Sequence, residues 1–227
     1  MSTDNQAISI DEVQDPEIDA LLNLYVELFH DREPLTRCFG FSKERMIAFA
    51  RTLYAGSHSS SLSQGLCWVA RDPAKENQAV GFIVCDDLVA AHAQEPLEDL
   101  AAQEAEMVSA VGALMEEIRS PIKEALALGE GVNLHVAAVG VAPGYEGKGI
   151  ARRLLQTALS TARDRGFQYA FSECTSNASR ILHEKCGFEV LNSVSINTFV
   201  VNGRRPFSDY DVDIHLMRKV LDVSKSN

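Results

Sequence analysis

The sequence predicts an α/β fold with a mixed sheet, on three observations. An apolar run at residues 131–143, a glycine-rich turn, an amphipathic helix and a second apolar run at 167–174 follow in the order of a strand–helix–strand crossover, which sets the two strands parallel. Residues 66–88 read as two strands about a polar turn at 72–78. Residues 188–201 and 208–221 read as a final antiparallel pair, with Asn202 and Gly203 marking its turn. With 227 residues, 46% of them hydrophobic, the chain can bury one sizeable core, and a single domain over 1–227 is expected.

The elements follow in order. "QAISIDEV" (residues 6–13) alternates, the mark of a half-buried strand. Over residues 15–35, Ile18, Leu21, Leu22, Tyr25, Val26 and Phe29 share one helical face, and Asp15 before Pro16 supplies the start. A second helix is expected over residues 42–56, opened by Ser42 and closed before Gly56. A Ser-rich loop at 57–65 leads into the hairpin. From Glu95 to about Leu128, Leu97, Leu100, Met107, Val111, Leu114 and Ile118 recur every three or four residues. This spacing predicts one long helix inserted between strands, with Pro121 ending it. After the glycine turn Ile150, Ala151, Leu154, Leu155, Ala158 and Ala162 face one way, and Arg152, Arg153, Gln156 and Arg163 the other. A last helix, "NASRILHEKC" (177–186), ends at Gly187.

Charge narrows the partners. A formal charge of −11 and a pI near 5.0 argue against a nucleic-acid surface and suit amines or basic peptides better. Five cysteines, widely spaced and with no C-x-x-C pair, read as reduced thiols of a cytoplasmic protein. His183 and Cys186 share a helical spacing, but nothing nearby completes a ligand set, so no metal is expected. "MSTDNQAISIDE" lacks a basic region followed by an apolar stretch, and no apolar run approaches spanning length. Neither export nor membrane anchoring is therefore expected, and a homodimer stays open.

The densest signal is "VGVAPGYEGKGIARRLLQTAL" at 139–159. A strand that feeds a helix through glycines turns successive N–H groups outward at a positive helix end, a ready site for a pyrophosphate. The alternative is that Gly147 and Gly149 only permit a tight turn and close packing. Neither G-x-G-x-x-G nor the Walker pattern is present, since the glycines stand at 144, 147 and 149 and Lys148 precedes Gly149.

Together, "VGVAPGYEGKGIARRLL" and "SNASRILHEKCGFEV" resemble the two signatures of the GCN5-related N-acetyltransferase (GNAT) superfamily, and the order of elements around them fits along nearly the whole chain. The resemblance implies a sheet splayed between the strands at 133–141 and 168–174, with the pantetheine arm of acetyl-CoA in the cleft like an added strand. It implies main-chain contacts from Val139, Gly140 and Val141 to the pantetheine. The amides of Glu146, Gly147, Lys148, Gly149, Ile150 and Ala151 would hold the pyrophosphate. Arg180 and Lys185 either meet the phosphates or are solvated helix cations. Two departures stand out: Gly144 occupies a Q/R position, and Glu146 places a carboxylate where Arg or Gln is common.

Acyl transfer to an amine needs a neutral nucleophile, a polarised thioester carbonyl and a proton for the departing thiolate. A backbone N–H near Val139 can polarise the carbonyl, and Cys174 need not act as a nucleophile. The superfamily often places a tyrosine where this chain has His183, which puts the usual acid in doubt. "LFHDREPLTRCFG" also resembles the D-E-P-L motif of insect dopamine and arylalkylamine N-acyltransferases, with Arg32 intervening between Asp31 and Glu33. That resemblance implies Glu33 as base through water, assisted by Thr175 and Ser179. The plainer readings remain: Glu33 exposed at a helix end, Thr175 and Ser179 capping the helix they begin. His135, on the splayed strand, is either a base with a pKa near neutrality or a hydrogen-bonded packing residue, and His215 a pocket group or a solvated one. The expectation is an acetyl-CoA-dependent N-acetyltransferase for a small primary amine, arylalkylamine or polyamine-like. The alternatives are a protein lysine or N-terminal acetyltransferase and a non-catalytic acyl-CoA binding module.

Overall fold

Seven extended runs pair into one sheet in the computed structural model, which describes residues 7–56, 60–91, 100–126 and 128–221. They are β1 (Ser9–Glu12), β2 (Trp68–Asp72), β3 (Gln78–Asp87), β4 (Asn133–Val141), β5 (Tyr169–Cys174), β6 (Glu189–Ser195) and β7 (Asp213–Val220). Side by side they run β1-β2-β3-β4-β5-β7-β6, antiparallel throughout except for β4 and β5. The α-helices are α1 (Ile18–Phe29), α2 (Pro34–Cys38), α3 (Lys43–Ala55), α4 (Leu88–Ala91), α5 (Ala102–Ile118), α6 (Lys123–Leu126), α7 (Ile150–Asp164) and α8 (Asn177–Lys185). Among the described residues no helix is long and apolar enough to cross a membrane.

Strand alternation splits the core into two faces. Ala70, Ile83 and Cys85 point to the face where α7 buries Ile150, Leu154, Leu155 and Ala158, as its predicted stripe requires. Their neighbours Val69, Phe82 and Val84 point the other way, against α1 and α3. Beyond them α5 lays Leu114 and Ile118 over Phe171, Ile214 and Leu216. Burial of each such aliphatic side chain contributes about 1.5–3 kcal/mol, so the two faces anchor the sheet from both sides.

The parallel pair opens almost at once. β4 and β5 pair only over Asn133–His135 with Tyr169–Phe171. Past that point β4 stays with β3 and β5 turns to β7. Val84 opposes Ala138 while Cys85 opposes Val136, so Ala137 is an extra residue that bends β4 away. At the apex the Ser172 hydroxyl donates to the Val136 carbonyl at 3.0 Å.

Three predicted elements differ. The helix expected over 15–35 stops at Phe29, because Pro34 cannot donate to an ongoing ladder and instead opens α2. The long helix expected from Glu95 begins, within the described residues, at Ala102, with Leu100 outside it and Leu97 outside the described residues. It ends at Ile118, where a 3-10 turn through Pro121 leads to α6. The final strand expected over 188–201 ends at Ser195, and Asn202 and Gly203 close a small turn of their own between Val201 and Arg204. Here β7 also inserts between β5 and β6, an order that local pattern does not carry.

Candidate active site

The splay makes a cleft of about 210 Å³ whose walls are β4 from Val136 to Val141 on one side and Ser172, Glu173, Thr175, Ser176, Ser179 and His183 on the other. Past Val141, the last β4 residue that lines the cleft, the chain runs into the turn from Pro143 to Gly149 that opens α7, and residues 146–151 are not themselves among the lining residues. Gly147 and Gly149 take φ of +73° and +76°, and a Cβ on either would meet no protein atom within 4 Å. Their role is backbone conformation and not internal packing. No side chain caps α7, so the N–H groups of its first turn lack intrahelical partners and project from a positive helix end. Gly140 is different: a Cβ there would press Leu28 at 3.0 Å, because α1 crosses β4 at close range.

Glu146 lies exposed and turned back on its own loop, its carboxylate accepting from the Gly144 amide at 2.6 Å. These backbone amides, its own first, hold its carboxyl below the ordinary range. Arg32, beside the same cleft, acts on it in the same direction and sets a positive charge opposite the carboxylate. Glu146→Gln removes one exposed charge, so acetyl-CoA affinity measured by calorimetry should rise about two- to threefold at low salt, with the gain fading at high salt.

Glu33 is neither an exposed helix end nor a free carboxylate. It is the half-buried N-cap of α2, accepting the amides of Leu35 at 3.1 Å and Thr36 at 2.6 Å. The loop that carries it is pinned by its own amide bonding the Phe29 carbonyl at 2.8 Å, and by His30, whose Nε2 lies 2.8 Å from the Phe41 carbonyl. Glu33 borders the cleft and also a second cavity of about 400 Å³. The two cavities share Phe29, Glu33, Ala137, Glu173 and Thr175, so they meet there.

The second cavity is aromatic on one side, from Tyr25, Phe29, Phe39, Phe49 and Tyr54, and ionic on the other. His135 places Nδ1 2.9 Å from Asp86 and Nε2 2.9 Å from Glu173, and Arg119 donates Nε to Glu173 at 2.6 Å. Burial opposes the imidazole's charge, but the two carboxylates outweigh it and raise His135 to about 9. Burial likewise pushes the Glu173 carboxyl up, and Arg119 and His135 overcome it, leaving it well below the usual range.

The signs follow from linkage. His135 binds its proton more tightly when folded, so its contribution is complete below 6.5 and is lost as pH rises through about 9. Glu173 contributes above its unfolded value of 4.5 and loses that contribution as pH falls further. Urea unfolding should therefore show highest stability near pH 5 to 6.5 and a loss of about 2 to 3 kcal/mol by pH 8.5, below the range where the buried thiols begin to contribute, and His135→Gln should flatten that window.

The remaining predicted residues scatter. The residue that caps α8 is Ser176, its hydroxyl accepting the Ser179 amide at 3.2 Å, so neither Thr175 nor Ser179 is the cap; both line the cleft. His183 is fully buried, with burial lowering its pKa, and its Nδ1 donates to the Ser179 carbonyl at 2.9 Å, which leaves Nε2 an acceptor. Burial raises the Cys174 thiol to about 11, far from a thiolate. Lys148 sits 4.7 Å over the Tyr145 ring at the loop. Lys185 borders neither cavity but a surface depression with Arg163 and Lys219, Arg180 pairs with Glu184 on its own helix, and His215 bonds Ser193 at 2.7 Å.

A profile of the acetyltransferase (GNAT) family matches residues 18–188, which takes in the cleft, the glycine turn and both predicted signatures. The chain belongs to this family. GNAT enzymes are acetyltransferases, and acetyl-CoA is the donor. Among solved structures, a mosquito arylalkylamine N-acetyltransferase-like protein is 20% identical with a TM-score of 0.75, over 95% of this chain and 100% of that one. A polyamine N-acetyltransferase of Drosophila melanogaster, described as forming N-acetylagmatine, is 19% identical with a TM-score of 0.71, over 95% and 100%. A Salmonella typhimurium protein with its cofactor acetyl-CoA is 18% identical with a TM-score of 0.53, over 98% of both chains.

Beyond His135 the β4 edge facing β5 has no ladder partner among the described residues, and the open turn at Gly147 and Gly149 presents uncapped amides. Sequence reasoning missed Asp86, Arg119 and the aromatic wall. The one local signal was Glu173, the single charged residue of the strand segment "FQYAFSEC".

Proposed function

We propose that this GNAT enzyme, as a single domain over residues 1–227, transfers acetyl from acetyl-CoA to the primary amine of a small arylalkylamine- or polyamine-like acceptor, directly within a ternary complex. The observation that supports it is the meeting of two cavities at Glu33, one walled by a strand edge and the other by aromatic rings. The mosquito and Drosophila structures, whose described acceptors are of these two kinds, agree with that reading.

Bound acetyl-CoA supplies an activated thioester, held by the Val139–Val141 main chain and by the amides from Glu146 to Ala151. Glu33 accepts a proton from the incoming ammonium through water, since each of its oxygens keeps a lone pair after capping α2. A main-chain N–H near Val139 polarises the carbonyl; as the C–N bond forms and the C–S bond breaks, the proton that the nitrogen sheds passes by way of the hydroxyls of Thr175 and Ser179 on the facing wall to the departing CoA thiolate. His135 is unsuited as base because both of its nitrogens already face carboxylates. His183 is unsuited as acid because its proton is on Nδ1, bonded to its own helix.

The test is CoA release from acetyl-CoA with tryptamine, dopamine, spermidine, agmatine or a lysine peptide, against controls lacking enzyme or amine. Turnover of a small amine is expected. Preference for the peptide, or acetyl-CoA binding with no turnover of any amine, would overturn the proposal.

A further inference from the structure

The ionic side of the acceptor cavity is balanced. Asp86, Arg119 and His135 line this cavity and not the cleft, and Glu173 borders both. His135 has a carboxylate oxygen 2.9 Å from each ring nitrogen, a geometry in which both nitrogens donate and the ring is an imidazolium. The contact to Glu173 is shorter than the 3.4 Å approach of Arg119 Nη2 to the same nitrogen, so Nε2 keeps its proton and donates it to the carboxylate. Arg119 gives Glu173 its second cation. Ser61 donates a neutral hydroxyl to the other oxygen of Asp86 at 2.6 Å. Two carboxylates thus face two cations, with side chains 3–18% exposed.

We propose that Arg119 sets which amines the enzyme takes: by balancing Glu173 it admits acceptors whose far end is a neutral hydrogen-bonding group and excludes those whose far end carries a second ammonium or guanidinium. The inference rests on the reading of this cavity as the amine site. Of the three carboxylates that line the cavity, Glu33 stands at the junction with the cleft and meets the reacting ammonium, whereas Asp86 and Glu173 each already face a cation, so a second cation entering the cavity gives up its water for a carboxylate that has a partner. A phenol hydroxyl adds no charge, and can give its proton to a carboxylate lone pair or accept from Arg119. Its ring meets the wall that Tyr25, Phe39 and Tyr54 contribute to the cavity. Arg119 reaches the cavity because α5 ends one residue before it, so the inserted helix places the selecting charge.

The test compares kcat/KM for dopamine, phenethylamine, agmatine and cadaverine in the wild type, Arg119→Gln and Arg119→Lys. The wild type should favour dopamine over agmatine and cadaverine by about tenfold or more. Arg119→Gln leaves one carboxylate unbalanced and should raise the agmatine-to-dopamine ratio about tenfold, while Arg119→Lys keeps the wild-type order. A wild-type order that is level or reversed overturns the proposal without any variant. A folded Arg119→Gln enzyme with an unchanged ratio also overturns it, and in both cases amine acetylation itself stands. If no amine turns over and calorimetry on the CoA-loaded protein detects no amine binding, the amine site and this proposal fall together.

Discussion

Glu33→Gln lowers kcat by about 10²- to 10⁴-fold, with little change in acetyl-CoA affinity and with the acidic limb of the pH–rate profile removed. Two features make this variant informative. Gln keeps an acceptor oxygen, so the α2 cap that Glu33 forms with Leu35 and Thr36 is weakened but not abolished. The carboxylate also stands where the cleft and the second cavity meet, so on the proposed reading removing its basicity should act on the proton and leave the β4 wall of the cleft intact. Stopped-flow or coupled thiol assays across pH, with circular dichroism as the folding control, measure it. Wild-type kinetics would show that the base is elsewhere, and a rise in amine KM alone would make Glu33 a binding group.

Gly147→Val abolishes acetyl-CoA binding, with a loss of about 100-fold or more, or roughly 3 kcal/mol. Gly147 sits at φ +73°, where a β-branched residue is strained by about 1–2 kcal/mol, and nothing in the protein lies within 4 Å to be displaced. The stability cost should therefore be modest while the cradle, whose amides must turn outward together, is lost. Gly129→Val is the matched control, because Gly129 has φ +88° and the same open surroundings but lies before β4 and not in the turn that opens α7. Calorimetry should find the control binding acetyl-CoA as the wild type does. Retained binding in Gly147→Val would place the pyrophosphate elsewhere.

The parts of the site legible in the sequence are those built from consecutive residues. The strand Asn133–Val141, the turn at Gly147 and Gly149 and the stripe on α7 announce themselves, because strand period, positive φ and helical period are local properties. The helix ending in "HEKCGF" is legible for the same reason. Glu33 was partly so: its motif marked it, but the break of the first helix at Phe29 and its capping of α2 follow from Pro34, which the apolar stripe of α1 concealed. His135 was visible as a residue and misleading as chemistry, since its state is decided by Asp86 and Glu173, 49 and 38 positions away. The inserted helix was visible as a period, whereas the reach of Arg119 to Glu173 across 54 positions was not.

By itself, then, the sequence determined the strand, the glycine turn and the uncapped helix proposed to hold acetyl-CoA, and with them the family. Only the tertiary structure decided the second cavity, the proposed acceptor site. The extra residue Ala137 opens β4 from β5, β3 brings Asp86 beside His135, β5 brings Glu173, and α5 lowers Arg119 onto it. The reason is physical: backbone conformation is set by neighbours along the chain, whereas the charge and shape of a cavity are set by side chains that meet only when distant strands fall into register.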